Sequence, residues 1–156
     1  MENLSPKSSD ENKFEKDYSL EEENLKHLWS GFITRNKINK VGVDAHQIRN
    51  DCSEFLATDY NLNVSHRTQF EDIFKKPIVG IIAFCPQNET QCEPFDEYLK
   101  YFTEKDRAGV VSLKNHTMYI LPPCEISRKF YQNPKKHLLG IFVNTNADSK
   151  PIVGNF

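Results

Sequence analysis

The 156-residue chain sets 20 Lys and Arg against 22 Asp and Glu, for a net charge of −2, and 38% of it is hydrophobic, with eleven Phe. That is enough apolar material for one domain with a sizeable core. It is too little positive charge for the strongly basic face of a nucleic-acid binder. The balance is uneven: residues 1–26 hold eight acids and four lysines, so residues 27–156 are mildly basic.

Residues 1–18 are polar and charged, which predicts a disordered acidic leader before a domain over 19–144 and a polar tail over 145–156. Ser19-Leu20-Glu21-Glu22 reads as a capping box opening a short helix from Leu20 to about His27. Leu28 to Arg35 then reads as a strand apolar on both faces, with Val41 to Ala45 returning after a turn. Ile48, Cys52, Phe55 and Leu56 fall at roughly helical spacing and suggest a helix over Gln47 to Thr58. From Leu62 to Phe70 the pattern alternates, putting Arg67 and Gln69 on the wet side and His66, by parity, on the buried side. Ile78 to Phe84 is a continuous apolar run, the candidate central strand.

The stretch Phe95 to Glu125 is the most organised. Phe95, Tyr98, Leu99 and Phe102 repeat at helical spacing, Pro94 suits a first helical position, and Gly109 suits a helix stop. Tyr101 lies about 100° from Phe102 around that helix, on its flank, where a ring can rest on the domain and offer its hydroxyl outward. Val110 to Leu113 and Thr117 to Leu121 form two strands around Lys114-Asn115-His116, and Pro122-Pro123 ends the ladder. A helical turn over Glu125 to Tyr131 and a last strand from His137 to Asn144 complete the chain. Six or seven short strands with two or three helices, in no βαβ rhythm, predict an α+β fold on a barrel-like, strongly curved sheet.

Catalytic chemistry is thinly represented. GxSxG, P-loop, HExxH and GxGxxG motifs are all missing from the sequence. Cys52, Cys85, Cys92 and Cys124 follow no CxxC spacing, so reduced thiols without a metal or other cofactor are expected. The longest apolar stretch, Ile78 to Cys85, is too short to cross a bilayer. A non-enzymatic domain away from membranes is the expectation.

LWSGFITR, the strand bearing Arg67, YLKYFTEKDRAGVV and YILPPCEISRKFY together resemble a SPOC domain, over roughly residues 27–144. The resemblance implies a distorted seven-stranded barrel flanked by helices. It implies a monomeric, nuclear, non-catalytic module of transcription or RNA processing. Its basic patch would bind phosphoserine peptides, such as co-repressor tails or RNA polymerase II repeats. Carried over position by position, the patch draws on Arg35, Lys37, Arg67 and Tyr101. Family members often have a second basic residue where Gln69 stands, which implies a weaker or single-phosphate site here. Two other classes remain open. One is a nucleic-acid-binding barrel, since the SPOC barrel is similar to that of Ku proteins. The other is a module docking unphosphorylated segments.

Overall fold

The computed structural model describes residues 13–36, 38–56 and 59–145. Eight strands form one sheet: β1 His27–Arg35, β2 Ile38–Arg49, β3 Asn61–Val64, β4 His66–Thr68, β5 Ile78–Pro86, β6 Ala108–Ser112, β7 His116–Leu121 and β8 Leu138–Asn144. Among the described residues three α-helical segments accompany them, α1 (13–17), α2 Ser53–Leu56 and α3 Cys92–Lys105, besides short 3-10 turns. None of the described helices is long and apolar enough to cross a membrane.

The strand order is β3-β1-β2-β5-β8-β7-β6-β4, antiparallel throughout except for the parallel pair β1/β3. The two end strands, β3 and β4, are neighbours in the chain, with Ser65 alone between them. Joining the sheet's opposite ends through one residue forces it to curl until it nearly closes, and the right-handed twist of strands assists. Ser65 marks the seam, its amide donating to the Val110 carbonyl at 3.0 Å. The result is the barrel-like α+β sheet expected, with eight strands rather than seven because the alternating stretch splits in two.

β5 holds a middle place in that order, and its side chains alternate between two cores. Ile82 and Phe84 point inward with Ile33, Val43, Met118, Ile120 and Phe142, where Phe95, Tyr98 and Phe102 of α3 join them. Ile81, Ala83 and Cys85 point outward and are covered by Leu20, Phe70 and Ile73. A strand buried on both faces loses its period-2 pattern, which is why it reads as a continuous apolar run.

Several expectations are corrected. Disorder was expected through residue 18, but Tyr18 is 5% exposed and meets Phe95 edge-on at 6.4 Å, its hydroxyl donating to the Asp96 carboxylate. Phe14 packs beside it, so two aromatics dock the end of the polar leader; residues 1–12 lie outside the described residues, as do 146–156 of the expected tail. The helix expected from Leu20 to His27 is one 3-10 turn, Glu21–Glu23, because Asn24 turns left-handed (φ 61°) and β1 starts at His27. The helix expected over Gln47 to Thr58 shrinks to α2, since β2 continues to Arg49 paired with β5, across a register shift between Gln47 and Arg49. Ala57 and Thr58 lie outside the described residues. His66 is exposed instead of half-buried, and its Nδ1 pairs with Ser65 Oγ at 2.9 Å: in the short end strand β4 neither His66 nor Arg67 is covered.

The helix stop also differs. α3 begins at Cys92, two residues before Pro94, and is capped after Lys105 by Asp106, which takes the left-handed conformation (φ 56°) and donates its amide to the Phe102 and Thr103 carbonyls. Gly109 instead sits inside β6, where its missing side chain lets the buried Phe102 ring approach; a Cβ there would lie 2.8 Å from Cζ of that ring.

Candidate functional site

Three local features bring cations to one end of the barrel. β1 ends at Arg35, and Asn36 (φ 53°) turns the chain into β2. β1 runs parallel to β3 with Arg35 opposite Val64, which sets Arg35 beside the seam where β3 passes into β4. Arg67 on β4 pairs with Gly109 of β6, the glycine on which Phe102 rests. The neighbouring residue of α3, Tyr101, is thereby held between the two arginines.

The geometry is close. The Arg35 guanidinium carbon lies 3.8 Å from the centre of the Tyr101 ring, and that of Arg67 lies 5.6 Å away. Tyr101 meets Phe102 edge-on at 5.3 Å, so the ring is fixed on its inner side while half-exposed on its outer side. Cations over an aromatic face gain about 0.5–2 kcal/mol depending on desolvation, which stiffens both side chains before any ligand arrives. Arg35 also lies 5.0 Å from the ring of Tyr98, a buried residue whose hydroxyl donates to the Asn39 carbonyl at 2.6 Å. That bond ties α3 to the β1–β2 hairpin. Burial pushes the Tyr98 hydroxyl up to about 12, against the opposing pull of Arg35, so it stays a donor at neutral pH.

Arg35, Arg67 and Tyr101 line one open cavity of about 570 Å³, together with Ser65, Lys105 and Arg107. Among the described residues no carboxylate lines it and none of its four cations has an ion-pair partner. The Nε of Arg35 is buried and has no acceptor among the described residues. Like charges gathered without acids cost energy in the free protein, and an anion relieves that cost.

Of the residues singled out from sequence, then, Arg35, Arg67 and Tyr101 converge. Gln69 lines an adjoining cavity instead, and Lys37 lies outside the described residues. Sequence reasoning passed over Lys105 and Arg107. The signal was the run Lys105-Asp106-Arg107 at the end of α3, where a left-handed residue turns the chain and aims the next side chain back at the helix terminus. Among the described residues no group of three or more His, Cys, Asp or Glu could hold a metal ion.

The described residues thus form a curled sheet with an aromatic helix across it and a cationic cavity beside it. The profile of the SPOC domain family matches residues 19–145, and the chain belongs to that family, one of protein-interaction modules in transcription regulation and of a non-catalytic type. It is similar to the flowering time control protein FPA of Arabidopsis thaliana, with 27% identity over 101 residues, covering 61% of this chain and 11% of that protein. This chain therefore spans only a small part of that relative. Its fold is similar to the SPOC domain of human PHD-finger protein 3 (PHF3), with a TM-score of 0.64 and 20% identity over 76% of this chain and 97% of the other.

Proposed function

We propose that this domain binds a phosphoserine-containing peptide, with the phosphate in the cavity of Arg35, Arg67, Tyr101, Lys105 and Arg107, and that it does so in the nuclear regulation of transcription or RNA processing. The observation that carries the reading is the four-cation cavity with no carboxylate among the described residues of its wall. A phosphoserine brings about −1.5 to −2 charges and three acceptor oxygens. Arg67 is exposed and presents a planar fork that meets two of those oxygens at once. Tyr101 offers its hydroxyl to the third or to the peptide backbone. Gln69, next on the wet side of the same strand stretch, donates to the peptide beyond the phosphate.

Each charge-assisted bond contributes roughly 1.5–3 kcal/mol net, so losing one weakens binding about ten- to a hundredfold. Fluorescence anisotropy with a serine-rich peptide, phosphorylated and not, tests this. The phosphorylated form binds with micromolar affinity and the plain form far more weakly. Arg67→Ala erases most of the difference with unchanged circular dichroism, and Tyr101→Phe costs less. Equal binding of phosphopeptide by Arg67→Ala and wild type would show that the site is misplaced.

A further inference from the structure

The cationic cavity does not stand alone. A second cavity of about 460 Å³ adjoins it, and Arg107 lines both. Its other walls include Gln69, Glu71, Asp106 and Glu125, so its charge is opposite in sign to that of the first. Among the described residues, Glu71, Asp106 and Glu125 have no ion-pair partner, and Arg107 uses its guanidinium on the Asp106 carbonyl at 2.9 Å rather than on a carboxylate. Arg67 faces the first cavity and Gln69 the second, and the backbone between them stays extended (Gln69 φ −69°, ψ 147°). Two residues of extended chain cover about 7 Å, so the two cavities sit one strand period apart. β4 is also an end strand of the sheet, the kind of element beside which an extended segment can lie.

We infer that the ligand is a bipolar extended peptide, with its phosphate in the first cavity and a Lys or Arg side chain two residues away in the second. This rests on the phosphopeptide reading above and adds to it a sequence preference. Continuity through Arg107 links the two pockets, and charge complementarity selects their occupants. A second phosphate in place of the cation would face Glu71, Asp106 and Glu125 and be repelled, so the site reads one phosphate and one cation.

The test uses the full chain and synthetic ten-residue peptides with one central phosphoserine. The peptides carry Ala at both positions two residues away, Lys at either one, or a second phosphoserine at either one. Each is also made without phosphate. Lys at one of the two positions is expected to tighten binding about two- to fivefold over Ala, the range of a partly screened ion pair. The second phosphoserine at that position gives no gain or a loss. Glu71→Gln/Glu125→Gln, both exposed positions, abolishes the Lys gain while leaving the Ala phosphopeptide unaffected. Lys no better than Ala at both positions, with phosphate dependence intact, overturns the inference alone. A gain that survives the double variant overturns it as well. Loss of phosphate dependence in every peptide overturns the underlying reading, and the inference falls with it.

Discussion

Gly109→Ala tests the link between packing and site most directly. The added methyl carbon would lie 2.8 and 2.9 Å from two atoms of the Phe102 ring and 3.0 Å from a Val64 methyl. Real contacts of this kind sit near 3.5–4.0 Å, so something must move. Phe102 has little room to do so: it is fully buried, with Tyr98 at 6.0 Å and Tyr101 at 5.3 Å around it. Overpacking of this sort costs about 1–3 kcal/mol. Against it, replacing glycine in a strand recovers about 0.5–1 kcal/mol of chain entropy. The net loss is about 0.5–2 kcal/mol, which lowers the midpoint of thermal unfolding by about 2–8 °C in a domain of this size. Urea unfolding followed by the fluorescence of Trp29, the single tryptophan, reads it, with the m-value unchanged. Phe102→Leu should relieve the clash, so the double variant loses less than the two single losses combined. Pushing α3 outward also carries Tyr101 away from Arg67, so phosphopeptide binding weakens in Gly109→Ala. A variant as stable as wild type or more so, at equal m-value, would refute the argument that the glycine is required by the ring.

Two other outcomes rest on the same structure. His46 and His137 are each 2% exposed, and burial lowers both below the ordinary histidine range; His27 lowers His46 further, with Asp44 and Glu21 opposing, while the Lys135 carbonyl opposes the shift at His137. Both are neutral when folded, and the unfolded chain takes up their protons below about pH 6.5. Stability is therefore full above that pH and falls as pH drops from 7 to 5, with a shallower fall in His46→Gln, read by urea unfolding at each pH; a flat profile would contradict this. Tyr98→Phe removes the donor to the Asn39 carbonyl and should cost about 1–2 kcal/mol, with weaker peptide binding as the hairpin bearing Arg35 loosens. Unchanged stability would show that the bond contributes nothing.

What the chain states about itself locally came through well where one physical rule governed. The apolar run Ile78 to Phe84 became a middle strand, and the stripe of Phe95, Tyr98 and Phe102 became the buried face of α3. The flank position of Tyr101 and the outward side of Arg67 came from helical and strand periodicity alone. Reading failed where two rules competed. Gly109 satisfies the helix-stop rule and the close-approach rule equally, and only the position of Phe102 selects the second. Ile48 to Leu56 had helical spacing, yet pairing with β5 held Gln47 and Arg49 in a strand. Phe14 and Tyr18 looked isolated in a polar leader because the surface they dock on, around Phe95 and Asp96, is far away in sequence.

The sequence by itself therefore determined which residues could be buried, the class of fold, the family, and two of the outward groups at the site. Only the tertiary structure decided that Arg35, Arg67, Lys105 and Arg107 share one cavity, and that an acidic one adjoins it through Arg107. The reason is the curl of the sheet. Periodicity fixes the direction of a side chain relative to its own strand or helix. Which side chains meet depends on closing a sheet whose end strands, β3 and β4, are joined through Ser65, and that closure is a property of all eight strands at once.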